Sequence, residues 1–242
     1  MLKIWDSSNF RRTLGGLCLI VAPLLHYVAE HLIPLGDTST ASGWLAVAHQ
    51  HRDRLLGDTY LGVLSGILII PAFFAIAHVV RGRGVVLAHI GVALAIVGVV
   101  LYTFVNAGAY LMVVVAGSPG LDSGAMTALI QKSLIDASPA SATFLGLFLE
   151  GLGYFLIGLA VWRSRFGYRW AGPLISLAVV GAFFNVVQSD IIEFAADFIL
   201  VVGLAAIGLR LLVMPDSAWE SAHSSTGRPA ADPLHATPVV GT

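Results

Sequence analysis

Apolar positions run along this chain in blocks of about twenty residues, broken by short clusters rich in Arg, Gly, Pro and Ser. Blocks of that length match the number of helical residues needed to cross a bilayer's hydrocarbon core. They predict six spans, at residues 13–35, 55–80, 85–115, 142–162, 171–189 and 191–213. The third is long enough to tilt or to leave the membrane at its outer end. Almost nothing separates the fifth from the sixth, around Ser189–Asp190, which predicts a tight hairpin. The first block follows Lys3, Arg11 and Arg12 as a signal peptide would. Its length, its His26 and Glu30, and its lack of a small-residue cleavage site instead make it a retained span. The loop 36–54 contains a short interfacial helix near 42–51, and the loop 116–141 is also substantial. Beyond Pro215 the chain is rich in Ser, Pro, Ala and Gly without apolar periodicity, so 214–242 reads as a disordered tail. The expected fold class is all-α, a polytopic transmembrane helical bundle preceded by a short segment at 1–12.

Charge then orients the bundle. With the N-terminus inside, Lys3, Arg11, Arg12, Arg81, Arg83, Arg163, Arg165, Arg169, Arg210 and Arg228 fall on inner segments, and Arg52, Arg54 and Lys132 on outer loops. Basic residues gather on the cytoplasmic side of membrane proteins, so both termini are expected in the cytoplasm, as an even number of spans requires. Trp5, Trp44, Trp162, Trp170 and Trp219 all lie at or beyond span ends, where an amphipathic ring meets both lipid and water.

Composition narrows the class. The 242 residues are 57% hydrophobic and only 11% charged, against about 25% charged in soluble domains. This excludes a soluble enzyme, a disordered chain and a nucleic-acid partner. The 13 basic and 14 acidic residues nearly cancel, so no global field recruits a charged partner. The single cysteine, Cys18, reads as a small packing residue. The Arg11-Arg12-x-x-Gly15 entry to the first span and the Arg81-Gly82-Arg83-Gly84 turn give the chain its family likeness. In these features and its spans it resembles six-span bacterial inner-membrane proteins of the domain-of-unknown-function type, a resemblance that implies no activity. Together with an Ala-, Val- and Gly-rich, Lys-poor composition, it implies the cytoplasmic membrane of a bacterium.

An ionisable side chain inside a bilayer is expensive unless it is paired or hydrated, so each needs a reason. Under the orientation above, His26 and Glu30 lie in the outer half of the first span, and Asp58 and Tyr60 at the outer end of the second. Asn106 and Tyr110 lie toward the outside of the third, Asn185 and Gln188 at the end of the fifth, and Asp190, Glu193 and Asp197 at the start of the sixth. Glu150 is eight residues into the fourth span, about 12 Å deep at 1.5 Å per residue. Nearly every polar residue within a span is thus in an outer half. The pattern predicts a polar, acidic cavity open to the outside above an apolar plug. Asp190, Glu193 and Asp197, at i, i+3 and i+7, share a helix face, and so do His26 and Glu30 at i, i+4, whereas His31 points elsewhere.

Several chemistries follow from such a cavity. It can bind a small or lipid-like ligand, with His26, Glu30, Tyr60, Asn106, Tyr110, Asn185, Gln188, Asp190 and Glu193 as binding candidates. It can host carboxylate acid–base chemistry on a lipid or isoprenoid, with Glu150 and Asp197 as the candidate catalytic pair. It can serve a proton-coupled carrier, which in so small a chain would be a homo-oligomer. The chain has no HExxH and no HxxxH, so no metal and no cofactor is expected. Gly62 with Gly66, and Gly91 with Gly98, are candidates for close helix contact.

Overall fold

The computed structural model describes residues 7–32, 38–136, 138–183 and 189–224. Among them it contains helices and no strand: α1 (Ser7–Leu32), α2 (Ala41–Gln50), α3 (Arg52–Val79), α4 (Val85–Ala116), α5 (Ser123–Ile130), α6 (Ser138–Ser164), α7 (Ala171–Phe183), α8 (Asp190–Leu212) and α9 (Asp216–Ser224). The all-α bundle is as expected. Five helices, α1, α3, α4, α6 and α8, are long and apolar enough to cross a membrane. The sixth expected span, 171–189, is represented by α7, a 13-residue apolar helix, and 184–188 lie outside the described residues.

Six helices form a closed ring. Each of α1, α3, α4, α6, α7 and α8 packs on the next in chain order, and α8 returns to pack on α1. Successive ring helices run antiparallel, through short links at α3–α4 and α6–α7 and through longer ones that carry α2 and α5. Between α3 and α4 a single 3-10 turn, Gly82–Gly84, reverses the chain, and Gly82 supplies the positive φ (61°) it needs. The outward surface of every ring helix carries exposed apolar side chains, among them Leu17, Ile67, Val97, Phe148, Leu177 and Phe198. A belt of this extent on all sides of a bundle is a surface built for lipid, not water.

The ring has two unlike ends. At one end lie the starts of α1, α4 and α7 and the carboxyl ends of α3, α6 and α8, with Arg11, Arg12, Arg81, Arg83, Arg163, Arg165, Arg169 and Arg210. Here α9 replaces part of the expected disordered tail. Pro215 stops α8 but its carbonyl accepts from the Ala218 and Trp219 amides, so it opens a new helix instead. Trp219 is 5% exposed and its ring lies 4.2 Å from that of His78. Arg12 clamps the start of α9: its Nη1 donates to the Met214 carbonyl and meets Asp216 Oδ1 at 2.5 Å. Arg12→Ala is expected to release α9, seen as faster proteolysis within Asp216–Ser224 with the ring still folded. An unchanged cleavage rate would show that Trp219 alone holds the helix. Residues 225–242 lie outside the described residues.

At the other end, α2 and α5 lie across the ring. The expected interfacial helix is α2, capped by Thr40 Oγ1 accepting from the Gly43 amide at 3.0 Å. It buries Trp44, Leu45 and Ala48 with Leu55, Val113 and Val114 and, from α5, Ile130.

Glycine sets the closest ring contact. Gly84, which caps the start of α4, and Gly91 and Gly98 within it, each seven apart, face Ala160, Gly153 and the Glu150 backbone of α6. A Cβ built on Gly98 would stand 2.2 Å from the Glu150 backbone nitrogen. The expected roles of Gly91 and Gly98 are therefore met and extended to a third glycine. In α3 the pair divides: Gly66 packs on Thr103, whereas nothing lies within 4 Å of a Cβ at Gly62.

Candidate ligand cavity

Within the ring the two ends differ in what fills them. Toward the α9 end the centre is closed by apolar side chains, Leu19, Phe73, Ile76, Ile157, Ile175, Leu204 and Ile207, all 0% exposed. Toward the α2–α5 end a cavity of about 700 Å³ remains, a size within the roughly 300–1,000 Å³ of small-molecule sites. All six ring helices line it. Each contributes one stripe: His26, Tyr27 and Glu30 from α1; Gly62, Ser65 and Ile69 from α3; Val99, Tyr102 and Thr103 from α4; Glu150 and Tyr154 from α6; Val179, Ala182 and Phe183 from α7; Glu193, Asp197 and Val201 from α8. Glu30, Ala182 and Glu193 are exposed, so the cavity reaches the surface.

The ionisable lining is acidic. Glu30, Glu150, Glu193 and Asp197 face one imidazole, His26, and the described lining holds no Lys or Arg. The carboxylates are held differently. Asp197 Oδ2 lies 2.8 Å from His31 Nε2. Glu30 Oε1 accepts from the Tyr102 hydroxyl at 3.2 Å. Glu150 has no hydrogen-bond or ion-pair partner among the described residues, although it is close enough to His26, Glu30 and Asp197 to feel their charge. One turn along α6, Tyr154 is 8% exposed, packs its ring on Phe73 at 5.4 Å and finds no hydrogen-bond partner for its hydroxyl among the described residues. Asp58, also 8% exposed, sits within electrostatic reach of Glu30 and His26.

The ring's closing seam is aromatic. The Tyr27 ring lies 4.9 Å from His31 and 5.2 Å from Phe194, and His31 lies 5.3 Å from Phe194. These α1 and α8 side chains, with the His31–Asp197 pair, fasten the last ring helix to the first.

Of the residues expected from sequence, the cavity gathers His26, Glu30, Glu150, Glu193 and Asp197. Three others lie elsewhere. Tyr60 is 64% exposed and is not among the lining residues. Asn106 Oδ1 accepts from Thr143 Oγ1 at 3.4 Å across the α4–α6 contact. Tyr110 packs on Trp44 at 5.3 Å beneath α2. Asn185 and Gln188 lie outside the described residues, and so does the side chain of Asp190. His31, which was expected to point away from the site, does point away from the His26 face, but toward α8, where it holds Asp197. Tyr102 and Tyr154 were not singled out, and Asp58, placed at the outer end of its span, was not among the candidates. Their signal was available in part, since Tyr154 follows Glu150 by four residues, one turn along the same helix face.

Among the described residues no group of three or more His, Cys, Asp or Glu side chains is placed to hold a metal ion. No protein-family model matches the chain, and no curated protein or solved structure matches it either.

Proposed function

We propose that this chain is a multi-pass protein of a bacterial cytoplasmic membrane whose central cavity opens on the extracytoplasmic side and binds a small or lipid-like ligand. The observation that carries this reading is the placement of the polar lining. Carboxylates, an imidazole and tyrosines from four of the six ring helices surround one cavity of about 700 Å³ in a bundle whose outer surface is apolar. Groups that cost free energy in a membrane are retained where they contact something. The orientation rests on arginine, which crowds the α9 end. Both termini are then cytoplasmic, with six crossings completed by α7. The same topology leaves the apolar plug on the cytoplasmic side, so the polar lining does not continue across the bundle as a carrier's path would.

Gly62 offers a clean test. It lines the cavity with open space at its Cβ position, so Gly62→Trp fills the cavity without disturbing a helix contact. Native mass spectrometry of the purified protein should show a bound small molecule on the wild type that is lost in Gly62→Trp at an unchanged melting temperature. The same occupancy in both, or none in either, would contradict a ligand-binding cavity.

A second reading, acid–base chemistry on a lipid or isoprenoid, is favoured by one observation. The two candidate carboxylates have different surroundings, Asp197 held by His31 and Glu150 unheld, and unlike environments are how paired carboxylates divide acid and base roles. It would be supported by Glu150→Gln retaining its bound molecule with altered double-bond or ring structure relative to the wild type, and contradicted by identical molecules in both.

A further inference from the structure

Resting on the reading that the cavity binds a ligand, we propose the ligand's class: an amphiphilic organic cation, its ammonium-type head held by Glu150 and the Tyr154 hydroxyl, its apolar body against Ile69, Val99, Val179 and Val201. Three observations point the same way. The lining has four carboxylates and no Lys or Arg among its described residues, so an anionic head group such as a phosphate would meet like charge and no donor fork. Glu30 is engaged by Tyr102 and Asp197 by His31, and Glu193 is exposed, whereas Glu150 is a less exposed carboxylate with no hydrogen-bond or ion-pair partner among the described residues. Tyr154, nine-tenths buried, presents an unpaired hydroxyl one turn from Glu150, and its ring face belongs to the kind of surface that attracts ammonium groups.

The geometry also fixes Glu150. Its backbone is pressed against Gly98, where no Cβ would fit, so the carboxylate is carried by a close backbone-to-backbone contact. A head group that brings its own positive charge completes the pairing that the protein leaves open, and a hydrocarbon body fills the apolar part of the lining. The single imidazole, His26, stands on the opposite side of the ring order, with its ring 6.5 Å from that of Tyr102.

The test compares ligands that differ only in the head group. Full-length protein in nanodiscs is titrated with decylammonium, decanol and decanoate, and binding above that to Gly62→Trp nanodiscs is taken as cavity binding. Decylammonium should bind about tenfold or more tightly than decanol, and decanoate should not bind above background. Glu150→Gln should weaken decylammonium by about the same factor and leave decanol within about twofold, decanol binding showing that the variant is folded. If decanol matches decylammonium, or decanoate binds best, the cation assignment is wrong while ligand binding stands. If none of the three exceeds the Gly62→Trp background, the ligand-binding reading itself fails. The wild-type ranking decides the matter even if Glu150→Gln does not fold.

Discussion

Gly98→Leu is expected to be the most destabilising single change in the ring. Even the first carbon of a side chain there would lie 2.2 Å from the Glu150 nitrogen and 2.6 Å from its Cα. Neither atom can yield without moving α6, so the α4–α6 pair must separate. Overpacking of a tight interface costs about 1–3 kcal/mol for small insertions. Leucine, with three further carbons aimed at backbone, should sit at or above the upper figure, roughly 6–12 °C in melting temperature for a chain of this size. Gly62→Leu, on the same scale of added volume but in open space, should leave the melting temperature nearly unchanged. Scanning fluorimetry of both variants in one detergent makes the comparison. Equal losses at the two positions would mean that α4 and α6 do not meet at Gly98.

The second large effect is expected at the seam that closes the ring. His31 and Asp197 meet at 2.8 Å with side chains 14% and 26% exposed, shielded by Tyr27 and Phe194. Removing one partner from such a pair leaves the other unsatisfied and costs about 1–3 kcal/mol. His31→Ala strands a carboxylate in the cavity wall, and Asp197→Ala strands an imidazole among aromatic rings. The double variant removes both and should be less damaged than the sum of the singles, with an interaction of about 0.5 kcal/mol or more in the cycle. Strict additivity of the three melting shifts would show that the pair contributes nothing to closing α8 on α1.

These two predictions depend on different parts of the molecule, and sequence revealed them unequally. Helix lengths and depth were legible, because each follows from counting along one segment. Glu150, Asp197, His26 and Glu30 were placed in the outer halves of their spans by that counting, and they do share a cavity. Azimuth was less legible. Tyr60 lies at a suitable depth on α3, but it is two residues from Gly62, a rotation of about 200°, and it faces outward. Asn106 and Tyr110 continue the Tyr102 stripe of α4, yet α4 has 32 residues and overshoots the cavity. Tyr110 stands eight residues beyond Tyr102, about 12 Å farther along the axis, and meets Trp44 of α2 instead.

Contacts between segments distant in sequence were hidden altogether. That His31 faces Asp197, 166 positions away, follows from ring closure, which no single segment encodes. The same holds for α9. Pro215 reads locally as a stop, and only the distant Arg12 and His78 explain why a helix with a buried tryptophan follows it. Tyr102 and Tyr154 were overlooked for a different reason. A tyrosine in an apolar run counts as apolar, and its hydroxyl becomes chemistry only when a neighbouring helix brings a carboxylate or a cavity to it.

The orientation and the cavity can be tested together by thiol labelling in a Cys18→Ser background. Gly62→Cys and Ala182→Cys place thiols on the cavity wall, whereas Ala72→Cys places one in the buried core. Whole cells are treated with a membrane-impermeant cationic methanethiosulfonate and, in parallel, with its anionic counterpart. Gly62→Cys and Ala182→Cys should label from the extracytoplasmic side, faster with the cationic reagent, and Ala72→Cys should not label. Labelling of Gly62→Cys only after the cytoplasmic face is exposed, or labelling no faster than at Ala72→Cys, would contradict an acidic cavity open to the outside.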